Sequence, residues 1–202
     1  GRFNLFREYD LGMELNDWEE FGQSLLKNPE KKERLKEMLD ECKIDQESIL
    51  ETIEKSLISK GVSYNLIKPK CLIIGGSAVI SLRDSSLYNK SDIDIYALMQ
   101  KEVFLGGKVH TGESIMDISS KTRTPYDVIF VSEDPEYNAN FMPIDILAQP
   151  HIVLSSSYTK EELRKKEELA IQNAESNLPR LKMDLIKWKE RIEIIKKEHT
   201  EE

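Results

Sequence analysis

The chain has 202 residues, enough for one good-sized domain or a domain with a helical annex. It is 39% hydrophobic and 33% charged, with 37 acidic against 29 basic side chains and a net charge of −8. This supports a genuine core and disfavours a protein that coats nucleic acid, which needs cationic surface. The longest apolar runs, around Cys71–Ile74 and Val128–Val131, are too short to span a bilayer, so no membrane partner is expected. Arg2–Phe6 is followed by no apolar stretch of the kind a secretory signal needs. Cys42 and Cys71 are too few for a disulfide scaffold or a cysteine-based zinc site, and a reducing, cytoplasmic setting is the expectation.

Charge divides the chain in three. Residues 1–60 carry 10 basic and 15 acidic side chains and residues 157–202 carry 11 of each, whereas residues 61–156 carry 8 and 11. The β-formers and most glycines fall in the middle stretch. The expected organisation is an N-terminal helical segment (1–60), a central α/β unit (61–156) and a C-terminal helical segment (157–202).

In the first segment, Asn16 or Asp17 can cap a helix carrying Trp18, Phe21 and Leu25, and Pro29 opens a second with Leu35, Met38, Leu39 and Cys42 on one face. Asp45 is expected to cap a third, with Ile49, Ile53, Leu57 and Ile58 inward and Gly61 as its stop. Cys71-Leu72-Ile73-Ile74 reads as a strand buried on both faces, ended by Gly75-Gly76-Ser77, after which Ala78–Arg83 reads as a helix. Asp92-Ile93-Asp94-Ile95-Tyr96 alternates acid and apolar with the period of a strand. Residues 127–131 and 144–148 are two more expected strands; residues 97–126, with Gly106-Gly107 and Gly112, suggest loops or hairpins. Thr159 and Glu162 form a capping pair for a C-terminal helix. Beyond it, Leu178, Leu181, Leu185, Trp188, Ile192 and Ile195 make a heptad-like seam suited to this chain's own core, a partner helix or a second copy.

The chemistry concentrates in the middle. Glycines between a strand and a helix let backbone N–H groups approach an anion, with the positive end of the helix dipole behind them and the Ser77 hydroxyl beside them. Asp92 and Asp94 stand two apart on a strand and so share a face, about 6–7 Å apart at the backbone. Hard oxygen ligands without His or Cys suit Mg²⁺ or Mn²⁺. A third carboxylate would complete a two-metal site. Asp145, between Ile144 and Ile146 in an expected apolar strand, is the first choice, and Asp127 at the start of its strand is the second. Arg83 and Lys90 can approach phosphates, Tyr96 can stack on a base or join the core, and His151 reads as a surface or packing residue. Gly106-Gly107 is followed by no Lys-Ser or Lys-Thr and is not a P-loop.

Strand, Gly75-Gly76-Ser77, helix, Asp92-Ile93-Asp94, strand and a later acid together resemble the nucleotidyltransferase superfamily that includes DNA polymerase β. Gly75-Gly76-Ser77-Ala78 and Ser91-Asp92-Ile93-Asp94-Ile95 look most like the minimal nucleotidyltransferases and the AbiEii-type nucleotidyltransferases of toxin–antitoxin systems. The resemblance covers about residues 70–148 and departs from the pattern in one respect: 14 residues separate Ser77 from Asp92, more than usual, which implies a longer loop through Ser85–Lys90. It implies an α/β (α+β) fold, a nucleotidyltransferase-like mixed sheet with flanking helices, to which the terminal helices are additions. It also implies an NTP held by Gly75, Gly76, Ser77 and Arg83, with divalent cations on Asp92, Asp94 and Asp145. The implied reaction moves an NMP to a hydroxyl of a protein, an RNA 3′ end or a small molecule and releases pyrophosphate. The alternative is a non-catalytic module of the same fold that senses nucleotide or scaffolds a partner.

Overall fold

The structure is a computed structural model, and it describes residues 45–75, 93–115, 126–138, 141–142, 145–149 and 151–200, together with Glu30, Glu33 and Glu37. Of the helix expected from Pro29, Glu30, Glu33 and Glu37 are described and helical, while the helix expected from Asn16 or Asp17, the Ala78–Arg83 helix and the Ser85–Lys90 loop lie outside these residues.

Helix α1 (Gln46–Ser59) begins where the sequence places its cap: Asp45 Oδ1 accepts the Glu47 N–H at 3.0 Å, satisfying a donor that the helix itself cannot. Ile49, Ile53 and Leu57 recur every four residues and are buried. Ile58, expected inward, is 47% exposed, because one step past Leu57 turns it about 100° off that stripe. Gly61, at φ +81°, takes the left-handed conformation that ends the helix, and its N–H donates to Ile58 O.

Four strands follow: β1 (Cys71–Gly75), β2 (Ile93–Met99), β3 (Tyr126–Ser132) and β4 (His151–Ser156), in the spatial order β3-β2-β1-β4. β1 is antiparallel to both β2 and β4, while β2 and β3 run parallel. Parallel neighbours need a long crossover. Residues 100–125 supply it, and their described parts are a short helix, α2 (Glu102–Leu105), and turns at Gly107 and Gly112, both at positive φ. Part of this segment returns to the outer edge of β3, where the Gly112 N–H donates to Phe130 O and the Phe130 N–H to Glu113 O. The architecture is therefore mixed α/β.

The sheet is buried on both faces. One face carries Leu72, Ile74, Ile93, Ile95, Ala97, Val128 and Phe130 and is sealed by α1. The other carries Cys71, Ile73, Tyr96, Leu98, Ile129 and Val131 and is covered by Met142, Ile146, Leu147 and Ala170. Apart from its acidic margin, β2 is thus apolar on both sides, more so than its Asp-Ile-Asp-Ile start suggests.

The strand expected at residues 144–148 is not one. Asp145 Oδ1 accepts the Leu147 N–H at 2.8 Å and closes a 3₁₀ turn, Ile146–Ala148. A side chain that bonds its own backbone two residues on competes with a sheet ladder, and here it wins. The fourth strand comes just after, at His151–Ser156, where no strand was expected. Helix α3 runs without interruption from Lys160 to Thr200 with Pro179 inside it. Thr159 Oγ1 accepts the Glu162 N–H at 3.1 Å, as the capping pair predicts. The side chains of the Leu178–Ile195 seam lie outside those described. Among the described residues, no helix is long and apolar enough to cross a membrane.

Candidate functional site

Register brings one row of residues level across the whole sheet. Asp127 of β3 pairs with Asp94 of β2, Asp94 pairs with Gly75 of β1, and Gly75 pairs with His151 of β4. Residues paired in register project to the same side, and neighbouring strands stand about 4.8 Å apart. Two carboxylates therefore sit side by side on adjoining strands, beside the glycine that ends β1. Both are partly buried and both are engaged by other groups. Among the described residues, no hydrogen-bond donor reaches the buried Oδ1 of Asp127.

Gly75 is fixed by packing. A Cβ at this position would meet Ile146 Cδ1 at 2.5 Å and Tyr96 Cε2 at 3.3 Å, so the missing side chain makes room for the isoleucine that the 3₁₀ turn pushes against the sheet. Gly76, Ser77, Arg83 and Asp92 lie outside the described residues.

Asp145 stands at the start of the 3₁₀ turn and not on a strand. It lines a small cavity with Leu98, Glu133, Pro135, Leu147, Lys166 and Leu169. It caps the turn whose next residue, Ile146, packs against Gly75. Burial raises its carboxyl above the ordinary value, opposed by the Leu147 N–H and by the charges of His151 and Lys166. Beside it, Tyr158 hydrogen-bonds Glu133 at 3.3 Å, and the Lys166 ammonium lies 4.7 Å from the Tyr158 ring. Burial, with the negative charge of Glu133, also raises the Tyr158 hydroxyl.

His151 is buried, as a packing residue would be, and it ties the end of the row to α3. Its Nδ1 lies 2.6 Å from Gln149 O and its Nε2 3.1 Å from Glu167 Oε1.

Comparison of the chain with known protein families, with curated proteins and with solved structures gives no match.

The Asp94–Asp127 pairing had a signal in the sequence. β2 reads Ile-Asp-Ile-Tyr-Ala-Leu-Met and β3 reads Tyr-Asp-Val-Ile-Phe-Val-Ser, each with one acid in second place before an apolar run. Two parallel strands of the same pattern put their acids at the same height. Among the described residues, no cluster of three or more His, Cys, Asp or Glu is arranged to hold a metal ion. The described site is thus a pair of acids.

Proposed function

We propose that the chain is a metal-dependent nucleotidyltransferase that moves an NMP from an NTP to a hydroxyl acceptor. The observation that carries this reading is the register of β2 and β3, which sets Asp94 beside Asp127 one strand away from Gly75. The spacing of Gly75-Gly76-Ser77 and Asp92-Ile93-Asp94 supports it. The proposal takes Asp127 as the third carboxylate, because Asp127 stands level with Asp94 in the sheet whereas Asp145 is off the strands with Oδ1 accepting the Leu147 N–H.

The donor chemistry fits the cation. Asp94 and Asp127, with Asp92, offer only hard carboxylate oxygens, which suit Mg²⁺ or Mn²⁺. When bound, such a cation polarises the phosphoryl group and lowers the pKa of the attacking hydroxyl. The chain's own residues provide position and charge. The three acids hold the cation, Gly76 and Ser77 offer backbone N–H groups and a hydroxyl to the triphosphate, and Arg83 adds charge to it. The acceptor is a protein side chain, an RNA 3′ end or a small molecule, and a net charge of −8 disfavours a long nucleic acid.

The test is transfer of label from each α-³²P-NTP with Mg²⁺, in the presence of cell extract as a source of acceptor. Asp94→Asn and Asp127→Asn are expected to lower transfer by at least about a hundredfold, as loss of a metal ligand does, while Asp145→Asn retains it. Nucleotide binding without transfer by the unaltered chain would overturn catalysis and leave the non-catalytic module. Undiminished transfer by Asp94→Asn would overturn the site.

A further inference from the structure

The ring of His151 faces two acceptors. A backbone carbonyl accepts hydrogen bonds and never donates them, so the 2.6 Å contact with Gln149 O requires a proton on Nδ1. The 3.1 Å contact between Nε2 and Glu167 Oε1 requires a proton as well, since an ionised carboxylate also only accepts. The His151 side chain is 2% exposed and that of Glu167 22%, so little water is at hand to replace either bond. With Nδ1–H committed to the carbonyl, a neutral ring would aim the Nε2 lone pair at the carboxylate.

We propose that the His151–Glu167 pair is a proton-operated latch that clamps the start of α3 to the sheet, closed with the imidazolium in place and released when that proton leaves. The described groups around it come from three elements. α3 contributes Glu167, which accepts from the ring, and Lys166, whose charge acts on Asp145. Asp145, at the 3₁₀ turn, favours the imidazolium when ionised. Cys71 of β1 feels the charge of Glu167. β4 itself brings no other ionisable side chain. The latch holds while both ring nitrogens carry a proton and opens when one is lost.

The consequence reaches the row of acids. α3 packs on the Ile146–Ala148 turn, and that turn seats Ile146 over Gly75, next to Asp94. Opening the latch loosens the cover over this margin of the sheet, whether or not the chain transfers nucleotides.

Two measurements on the full chain test it. ¹⁵N resonances of the imidazole, assigned by comparison with His151→Gln, are expected to show both ring nitrogens protonated near pH 6. A neutral ring with bare Nε2 there would overturn the proposal. Amide exchange across residues 160–174, corrected for its intrinsic pH dependence, is expected to speed up about tenfold between roughly pH 6 and pH 8.5, the loss of one charge-assisted hydrogen bond. Glu167→Gln removes that dependence, because an amide donates to a neutral ring as readily as it accepts from a charged one. Exchange that ignores pH in the unaltered chain, or that keeps its pH dependence in Glu167→Gln, would sink the latch.

Discussion

A methyl group at position 75 would stand 2.5 Å from Ile146 Cδ1, the far end of a flexible side chain, and 3.3 Å from the Tyr96 ring. Gly75→Ala is therefore expected to cost about 1–3 kcal/mol by overpacking. Ile146→Val removes the colliding methyl, so the double variant should be more stable than the two single costs predict; urea midpoints of the four proteins measure the coupling. Simple additivity would mean that Gly75 is not held by this contact. Cys71 gives a second expectation. Burial pushes its thiol from 9.0 up to about 11, with a Ser156 hydrogen bond opposing and the Glu167 charge adding. The folded state holds the thiol proton more tightly than the unfolded chain does, so its contribution is present below pH 9.0 and is lost as pH rises towards about 11. Cys71→Ala should lose less stability than the unaltered chain across that window, and denaturant titrations on either side of it would reveal the difference. Parallel curves would refute it.

At the level of elements, helix caps and apolar periodicity made α1, β1, β2, β3 and the start of α3 legible in advance. The element that escaped was decided by a single side chain. Ile144 to Ala148 has the apolar content of a strand, but one hydrogen bond from the Leu147 N–H to Asp145 closes a turn there and delays β4 to His151. Sequence periodicity records hydrophobicity and says nothing of which backbone donor a carboxylate will take. The cap makes its own prediction. Asp145→Asn keeps an acceptor for the Leu147 N–H and removes a charge that burial penalises, so at neutral pH it should be neutral or stabilising. Since burial raises the Asp145 carboxyl, the penalty appears as pH rises and vanishes in acid, and any gain of Asp145→Asn should shrink as pH falls. Asp145→Ala loses the acceptor and should cost about 1 kcal/mol, as at other caps. Thermal denaturation at two pH values separates the three proteins, and an Asp145→Asn loss as large as that of Asp145→Ala would reject the capping role.

Over the molecule as a whole, the acids of the candidate site come from strands far apart in sequence, and only the parallel pairing of β2 and β3 makes them neighbours. The sequence could show that Asp94 lay on a strand; it could not show which later acid stood beside it, because strand order is settled by how both faces of the sheet are covered. An acid inside an expected apolar strand pointed to Asp145, the register points to Asp127, and ion binding distinguishes them. A cation held by Asp94 and Asp127 would bind the folded sheet and have no matching site in the unfolded chain, so it would stabilise the molecule by RT ln(1 + [L]/Kd), about 2.7 kcal/mol at a hundred times Kd. Mg²⁺ with an NTP is expected to raise the unfolding midpoint of the unaltered chain and of Asp145→Asn by similar amounts, and to leave Asp94→Asn and Asp127→Asn almost unmoved. The comparison uses shifts within each protein, which removes whatever each substitution does to stability on its own. A shift kept by Asp127→Asn and lost by Asp145→Asn would return the third carboxylate to the turn. A shift kept by Asp94→Asn would separate ion binding from this row of the sheet altogether.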